Sequence, residues 1–334
     1  MNIPRPEYPK PQFERENWLN LNGVWQFEID NGRSGIARGL AEADAKLSDQ
    51  ILVPFCPESK LSGIEHTDFM YGVWYKRTVT LTEQQCAQRV VLHFGAVDYT
   101  ANVFINGKNV GNHKGGYISF AMDITEFVTP GENVITVFAE DDTRSGTIPK
   151  GKQAHHYRSS GCDYTRTTGI WQTVWIEFTP KSYIKSFKFY PDYKKGEVTV
   201  FVELCGKGDF TANITYEGKP MASFCETDAQ GRLQFTLSLE EIHLWEIGKG
   251  RLYDVAFTFG EDAVKSYFGL RNVELRGQKF LLNGKSVFQR TVLDQGFYPD
   301  GIYTAPSDED LKNDILLSLA CGFNGARPHE KIFE

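Results

Sequence analysis

Acidic and polar side chains stand at the ends of two apolar stretches near the end of the chain. The stretches are 286–293 and 323–327, and the polar residues at or after their ends are Asp294, Gln295, Arg327, His329 and Glu330. Two acids at the ends of neighbouring strands can come close enough to supply an acid and a nucleophile. For Asp294 and Glu330 we favour a plainer interpretation, because such placement alone has a high false-positive rate. In that interpretation one acid positions a substrate and the other is a solvated loop charge.

A second concentration of polar and aromatic side chains lies in the long segment Asp142–Gly169. The segment is rich in Gly, Ser and Thr, and a loop of this length in a compact domain is usually functional or disordered. At or near it stand Tyr164, Arg166 and Trp171, which could stack on a sugar ring or bind hydroxyl or carboxylate groups. The plainer alternatives are a surface salt bridge for Arg166 and core packing for Trp171, and for Trp171 we favour core packing.

Neither the histidines nor the cysteines form a metal-binding pattern. His155 and His156 are adjacent, but no third ligand stands near them in the sequence, so we interpret them as a solvated pair. The cysteines are scattered without a C-x-x-C pair, at Cys56, Cys86, Cys162, Cys205, Cys225 and Cys321. We expect most of them to be small buried residues and predict no metal site.

The charge balance limits the classes of partner. The 334 residues carry a formal net charge of −7 and form no basic run, so we expect neither nucleic acid nor a membrane as partner. No apolar run approaches the roughly 20 residues of a membrane span. The N-terminus lacks the apolar core of a signal peptide. The chain as written is therefore expected in the cytoplasm, or in the periplasm or outside the cell if an upstream signal peptide was removed.

The scaffold that positions these residues is predicted to be mainly β. Four stretches between Asn22 and Pro180 carry β-branched and aromatic residues between turn signals: Gly72–Thr82, Arg89–Phe94, Ala101–Ile105 and Glu132–Ala139. Asn106-Gly107 predicts a tight hairpin, and in the alternating stretch Trp171–Phe178 the residues Val174, Ile176 and Phe178 fall on one face. Many short strands without an amphipathic helix indicate a sandwich or jelly roll over residues 1–180.

A second β region follows the break at Thr179-Pro180. Apolar residues alternate with polar ones over 198–202, 233–239 and 255–259, which is typical of half-buried strands. About 90 residues of such strands suit an immunoglobulin-like sandwich, which we place at 181–275.

The pattern changes again over 276–334. Ser286–Leu293 and Phe323–Arg327 are predicted strands, and between them Ser307 begins a helix that Gly322 ends. The helix carries Leu311, Ile315 and Leu319 at helical spacing. Strand, helix and strand form one βαβ unit, which cannot bury both faces of a parallel sheet. We therefore expect the start of a truncated parallel α/β domain.

Several motifs in series carry a resemblance to a known family. In chain order they are Arg5-Pro6-Glu7-Tyr8, Asn17–Trp25, Val53-Pro54-Phe55, Gly72–Arg77, Phe94–Asp98, Val103–Lys108, Thr168–Gln172 and Phe268–Glu274. In this order and spacing they resemble glycoside hydrolase family 2, the family of β-galactosidases, β-glucuronidases and β-mannosidases. The resemblance implies a sugar-binding jelly roll, an immunoglobulin-like sandwich and the start of a (β/α)8 barrel.

The resemblance also implies a chemistry. Retaining β-glycosidases use two carboxylic acids about 5–5.5 Å apart. In the family both are glutamates on later barrel strands, for which this chain has no matching position, so we predict no catalytic residue here. The implied parent is an exo-β-glycosidase, β-galactosidase-like, that hydrolyses terminal β-linked sugars. The family resemblance also allows a monovalent or divalent cation and a homo-oligomer.

Five residues are implied as substrate-binding: Asp98, Asp294, Gln295, Arg327 and His329. In the resembling enzymes an acid matching Asp98 reaches from the sugar-binding domain into the barrel active site. The alternative for Asp98 is an acid that accepts from backbone amides in a turn. Gln295 stands where many relatives have His, which weakens a strict β-galactosidase assignment.

Two of these positions have further alternatives. Arg327 and His329 are separated by one residue, whereas the family has two between its Arg and its His, so the match of His329 is open. Arg327 could instead lock neighbouring carboxylates in place by bidentate bonds. The rival functions for the whole chain are a non-catalytic carbohydrate-binding module and a structural or assembly role. The reading frame downstream of Glu334 distinguishes them from an enzyme segment.

Overall fold

The protein is mainly β, as the sequence predicts. The structure, a computed structural model, describes residues 3–330. The strands of its first part are β1 (Trp18–Asn20), β2 (Gly23–Ile29), β3 (Asp49–Val53), β4 (Gly72–Leu81), β5 (Arg89–Phe94), β6 (Val97–Asp98), β7 (Thr100–Ile105), β8 (Lys108–Lys114), β9 (Phe120–Asp123), β10 (Gly131–Glu140), β11 (Gly169–Ile170) and β12 (Val174–Thr179). The four strands predicted between Asn22 and Pro180 are confirmed to within one residue at each end.

Two antiparallel sheets of this part form the first sandwich. One has the order β1-β12-β5-β9 and the other β3-β2-β4-β10-β7-β8. Alternate residues of both sheets point into one shared core, among them Val90, Leu92 and Phe94 of β5 and Ile135 and Val137 of β10. A one-turn helix, α1 (Glu83–Cys86), and two 3₁₀ turns, Lys60–Ser62 and Thr125–Phe127, connect strands at the rim.

Asn106-Gly107 forms the hairpin that the sequence predicts, and Asn283-Gly284 forms a second one of the same type. Asn106 and Gly107 have φ of 50° and 80°, and Asn283 and Gly284 have φ of 50° and 75°. Two successive residues at positive φ define the type I′ turn, whose twist matches that of the paired strands.

The predicted face of Trp171–Phe178 is confirmed, because Val174, Ile176 and Phe178 all lie in the core of the first sandwich. The strand begins at Val174, and all six residues of β12 are buried. One face of β12 enters the sandwich core, and the N-terminal segment covers the other. On that second face Tyr8 donates its hydroxyl to Glu177 at 2.7 Å, and the Lys10 ammonium lies 5.7 Å from the Trp175 ring centre.

A second sandwich follows. Its strands are β13 (Tyr183–Asp192), β14 (Glu197–Tyr216), β15 (Lys219–Ser238), β16 (Tyr253–Phe259) and β17 (Asp262–Phe268). The long hairpin β14–β15 changes register between Glu203 and Lys207, where β-bulges bend it, so that its two halves join different neighbours. The early half pairs with β13 and the later half with β16. The layers meet where the Phe187 ring lies 4.8 Å from that of Phe257.

The last part contains one parallel strand pair. Its elements are β18 (Val273–Arg276), β19 (Lys279–Leu282), β20 (Lys285–Ser286), β21 (Thr291–Asp294), α2 (Asp308–Ala320) and β22 (Gly325–Pro328). β21 and β22 pair in parallel across α2, and Ser307 caps the helix by accepting from the Asp310 amide. The expected strand Ser286–Leu293 is wrong in extent, because pairing with β22 begins only at Thr291.

Several apolar and thiol side chains of the chain are exposed. Leu311, Ile315 and Leu319 of α2 are 39%, 63% and 49% exposed.

The expectation of mostly buried cysteines is wrong: Cys56 is buried and Cys86 half-buried, and the exposed ones are Cys162, Cys205, Cys225 and Cys321. These four stand in a loop, on outward-facing strand positions and at a helix end, where no core surrounds them.

Within residues 3–330, no helix combines the length and apolar character that crossing a membrane requires.

A buried ion-pair network joins the two sandwiches. Arg15 donates to both oxygens of Asp262, at the start of β17, at 2.9 Å. It also donates to Glu177 of β12 at 2.9 Å and to the Ile184 carbonyl at 2.7 Å. Tyr8 and Trp175 donate to the same Glu177 carboxylate. One N-terminal arginine thus connects a strand of each sandwich.

Candidate functional site

Asp98 is buried at the end of a two-residue strand. β6 pairs with β11, which places Asp98 opposite Gly169 at the end of the long loop. The side chain is 1% exposed, and Nε2 of Gln153 donates to its Oδ2 at 2.6 Å. Within residues 3–330 no other group donates to this carboxylate. Its partner is therefore a side-chain amide from the long loop and not the backbone amides of a turn.

The backbone passes directly over the carboxylate at a glycine. A Cβ on Gly116 would lie 2.6 Å from Cγ of Asp98, so only a residue without a side chain fits there. The Gly116 carbonyl in turn accepts from the Trp171 indole nitrogen at 2.8 Å. Trp171 is 1% exposed, which confirms its assignment to core packing.

Two more acids are buried near Asp98, and we call Glu58, Asp98 and Asp141 the carboxylate cluster. Glu58 and Asp141 are 2% and 5% exposed. Glu58 accepts from the Thr168 amide at 3.1 Å through Oε2, while its Oε1 and the Oδ1 of Asp141 are buried without a hydrogen-bond partner. Three like-charged groups therefore share one desolvated region.

The environment favours protonation of the cluster. Burial raises the pKa of Glu58 to about 7. Burial, with a smaller contribution from the charge of Glu58, raises the pKa of Asp98 to about 7, against the lowering effect of the Gln153 bond. Burial and then the charges of Asp98 and Glu58 raise the pKa of Asp141 well above its usual range. Such strongly perturbed acids are concentrated at functional sites.

The nearby Arg166 does not compensate this charge directly. It is 2% exposed, so the alternative of a surface salt bridge is wrong. Its terminal nitrogens donate to backbone carbonyls, among them those of Ala154 at 3.2 Å and His156 at 2.7 Å, and also that of Thr67. The guanidinium thus anchors the long loop, because buried carbonyls without amide partners need donors. Within residues 3–330 no basic group forms an ion pair with Glu58, Asp98 or Asp141.

The last part of the chain meets the first sandwich beside Asp98. The hydroxyls of Tyr117 and Tyr303 lie 3.1 Å apart, and the Tyr303 ring packs edge-on against Trp171. Thr304 donates to the Pro54 carbonyl at 3.2 Å. Burial and the charge of Asp98 raise the pKa of Tyr117, and burial and the neighbouring Tyr117 do the same for Tyr303. Segment 297–305, which follows β21, therefore forms one wall around the Asp98 region.

The other four predicted site residues gather at the carboxyl ends of β21 and β22. The Asp294 carbonyl accepts from the His329 amide at 3.0 Å, and the Asp294 side chain accepts from the Gly296 amide at 2.7 Å. Gln295 has a buried side-chain oxygen without a hydrogen-bond partner, and Arg327 is exposed. In the described part of the chain Arg327 forms no ion pair, so it does not lock a carboxylate there.

No hydrogen bond or ion pair within residues 3–330 joins Asp98 to these four residues. The connection between the two groups is aromatic, since the Phe297 ring lies 4.9 Å from that of Tyr303 and 4.4 Å from that of Tyr164. The structure thus forms two adjacent groups of predicted site residues, one on the first sandwich and one on the parallel strand pair.

The histidine pair of the long loop is solvent-exposed. His155 and His156 are both exposed, with ring centres 3.9 Å apart. Within residues 3–330 no group of three or more His, Cys, Asp or Glu is arranged to hold a metal ion.

Several residues of this region have no distinctive sequence pattern. They are Glu58, Tyr117, Asp141, Gln153 and Tyr303. Asp141 directly follows β10, and an acid at a strand end could have been singled out on that ground. Gln153 lies inside the loop that the sequence marks as unusual, but nothing distinguishes it from its polar neighbours.

The two sandwiches match, in chain order, two family models of known proteins. Residues 19–180 match the family model described as "Glycosyl hydrolases family 2, sugar binding domain", and residues 182–271 match the model described as "Glycosyl hydrolases family 2". Among solved structures, a β-glucuronidase from Lactobacillus rhamnosus superimposes with a TM-score of 0.79 at 22% identity, covering 94% of this chain and 55% of that one. A β-glucuronidase from Ruminococcus gnavus gives a TM-score of 0.80 at 19% identity.

Curated relatives are similar along most of this chain. A β-galactosidase from Thermoanaerobacter pseudethanolicus is 26% identical over 278 residues, which are 78% of this chain and 36% of the relative. A β-glucuronidase from Streptococcus agalactiae is 22% identical, and the match covers 81% of this chain and 46% of that protein. A β-glucuronidase from Canis lupus familiaris is 27% identical, with 84% and 48% covered.

The chain spans half or less of the length of these relatives. The two family models together match most of its residues, with the sugar-binding domain first. The chain belongs to glycoside hydrolase family 2 and corresponds to the N-terminal portion of its members.

Proposed function

We propose that the chain is the N-terminal part of a retaining exo-β-glycosidase that hydrolyses terminal β-linked sugars. In this proposal residues 1–180 are a sugar-binding jelly roll, 181–275 an immunoglobulin-like sandwich and 276–334 the start of a (β/α)8 barrel. The family membership and the parallel pairing of β21 with β22 across α2 support it. One βαβ unit with an exposed apolar helix face needs further strands and helices to bury it.

The observation that carries the proposal is the position of Asp98. A buried carboxylate lies where the first sandwich meets segment 297–305, the segment that follows β21. Barrel active sites lie at the carboxyl ends of their strands. A carboxylate can accept two sugar hydroxyls through short charge-assisted bonds, which are stronger in a desolvated pocket. Asp98 would thus hold the terminal sugar from the side of the sandwich.

The remaining site residues would act from the barrel side. Asp294, Gln295, Arg327 and His329 supply acceptors and donors at the ends of the parallel strands. These residues orient the sugar, and the acid and the nucleophile would be glutamates on later barrel strands outside this chain. In a retaining mechanism the nucleophile attacks the anomeric carbon while the acid protonates the leaving oxygen.

β-Galactosides are the first candidate substrates, and β-glucuronides are the second because several relatives carry that name. Among the residues of the long loop that could contact a sugar, Arg166 is the arginine that could bind a uronate carboxylate. It is buried, and its terminal nitrogens bond to backbone carbonyls, so it is not available for a substrate carboxylate. This favours a neutral sugar.

Activity assays on two lengths of the protein test the proposal. The 334-residue chain should leave nitrophenyl β-galactoside, β-glucuronide and β-mannoside intact, while a protein extended by the downstream coding sequence should hydrolyse at least one of them. Glycan binding by the extended protein without turnover would favour a binding module. Steady turnover by the 334-residue chain, abolished by Asp294→Asn or Glu330→Gln, would show that the local acids are catalytic and that the proposal is wrong.

A further inference from the structure

Gln153 bonds to two different parts of the site through one amide group. Its side chain is completely buried in the long loop. Nε2 donates to Oδ2 of Asp98 at 2.6 Å, and Oε1 accepts from the Thr167 amide at 2.8 Å. The first bond spans 55 residues of sequence and connects the loop to strand β6.

The chemistry of the partners fixes the orientation of this amide. The Thr167 backbone N–H can only donate, so the carbonyl oxygen of Gln153 must face it and the NH₂ group must face Asp98. The backbone around Gln153 is also held, because Lys150 donates to its carbonyl at 2.8 Å and the Ala154 amide donates to the Tyr164 carbonyl at 2.7 Å. The donor aimed at Asp98 therefore has one orientation and little freedom.

The acids beside Asp98 oppose its negative charge, whereas this amide favours it. Glu58 and Asp141 contribute negative charge, and Tyr117 and Tyr303 are buried phenols whose raised pKa keeps them neutral. The Gln153 bond acts in the opposite direction and lowers the pKa of Asp98. A donor to the ionised form stabilises that form, and an ionised carboxylate is the stronger acceptor of sugar hydroxyls.

We propose that Gln153 is a positioning residue for Asp98, fixing its side chain in one rotamer and favouring its charged form as the acceptor of a sugar hydroxyl. The proposal rests on the role of Asp98 in the proposed function. It also connects that role to the long loop, because a displacement of the loop would carry the amide away from the carboxylate.

Two substitutions in the complete enzyme give opposite pH signatures. Gln153→Met keeps the length of the side chain but removes the donor, so the pKa of Asp98 rises and kcat/KM relative to the unchanged enzyme should fall as the pH falls. Gln153→Glu keeps the shape, and its protonated form can still accept from Thr167 and donate to Asp98. Its relative kcat/KM should therefore rise as the pH falls.

At neutral pH we expect Gln153→Met to lower kcat/KM roughly tenfold or more, as the loss of a hydrogen bond to a charged group usually does. Arg158→Ala is the matched control, since Arg158 is an exposed residue of the same loop and should leave activity unchanged. Adding Gln153→Met to an Asp98→Asn enzyme should cause little further loss, because the amide acts through the carboxylate.

The outcomes separate the two proposals. If Asp98→Asn alone leaves kcat/KM unchanged, the proposed function of Asp98 is wrong. If Asp98→Asn lowers kcat/KM but Gln153→Met does not, or if the two losses are independent and multiply, the positioning role is overturned. Parallel pH profiles of Gln153→Met and Gln153→Glu would also overturn it, and this comparison does not depend on the two variants being equally stable.

Discussion

The first sandwich holds acids in two buried networks that differ in their counter-charges. At the contact with the second sandwich, nitrogens of the Arg15 guanidinium lie 2.9 Å from carboxylate oxygens of both Glu177 and Asp262. One positive charge is therefore hydrogen-bonded to both acids. In the carboxylate cluster, Glu58, Asp98 and Asp141 share a desolvated region, and within residues 3–330 no cation pairs with them. Both networks bury carboxylates, but the first places a positive charge beside them and the second does not.

The pKa directions follow from this difference. Burial alone would raise the pKa of Glu177, but the charges of His93 and Arg15 and two side-chain donors more than offset it, so its pKa is lowered. In the carboxylate cluster burial is the largest effect and the neighbouring acids reinforce it. A compensated network destabilises the fold when one partner is removed, whereas an uncompensated one persists at the expense of stability, which is typical of a functional site. We infer a structural role for the first network and a binding role for the second.

Removing the arginine should have the largest effect. Arg15→Met leaves Glu177 and Asp262 buried without their cation, and the loss of one partner from such a pair usually costs about 3–5 kcal/mol. We expect the free energy of unfolding of the 334-residue chain to fall by that amount in denaturant titrations.

Lys265→Gln is the control for this change, because its pair with Glu16 is exposed and surface pairs contribute little. The interpretation of the network as structural would be contradicted if both variants unfolded at the same denaturant concentration as the unchanged chain.

The two networks should also respond to pH with opposite signs. Burial raises the pKa of Glu58 from 4.5 to about 7, so between these values the folded state binds more protons than the unfolded state and stability falls as the pH rises. Burial lowers the pKa of His93, which lies beside Glu177, from 6.5 to about 4. Over that window the unfolded state binds more protons, so stability rises with pH.

Unfolding measured from pH 4 to pH 7 in two variants separates these contributions. Relative to the unchanged chain, Glu58→Gln should become progressively more stable as the pH rises and His93→Phe progressively less stable, with slopes up to about 1.4 kcal/mol per pH unit. Slopes of the same sign for both variants, relative to the unchanged chain, would contradict the contrast between the networks.

A neutral contact beside the cluster should matter least. Tyr117→Phe removes the hydroxyl that lies 3.1 Å from the Tyr303 hydroxyl and also donates to the Lys150 carbonyl at 3.1 Å. Neutral hydrogen bonds contribute about 0.5–1.5 kcal/mol each, so calorimetry should show a small decrease in the melting temperature. A loss as large as that of Arg15→Met would mean that the aromatic wall, and not the charge balance, dominates stability in this region.

The features that could be predicted from the sequence depend on neighbours along the chain. Asn106-Gly107 predicts its hairpin because both residues tolerate positive φ, and Ser307 predicts a helix start because its hydroxyl reaches an amide three residues later. Asp98 stood out only through the family motif Phe94–Asp98. Local chemistry and the family motifs thus identified the sandwiches, the parallel strand pair and one residue of the cluster.

Features that depend on distant partners could not be predicted in the same way. Gln153 matters because an acid 55 residues away accepts its amide, and Arg166 is buried because the loop folds its carbonyls around the guanidinium. Exposure of Cys205 and Cys225 depends on which face of each strand turns outwards, and the bulges in β14 and β15 change that face along the strand.

The most direct test of a binding role for the carboxylate cluster is Asp98→Asn in the complete enzyme, with kcat/KM and melting temperature measured on the same preparation. Asparagine keeps the shape but loses the charge, so kcat/KM should fall by about 1.5–3 kcal/mol in transition-state stabilisation. The melting temperature should stay the same or rise, because one of three like charges is gone. Full activity per folded molecule, or a large fall in melting temperature, would contradict the account and place Asp98 with Arg15 among the structural charges.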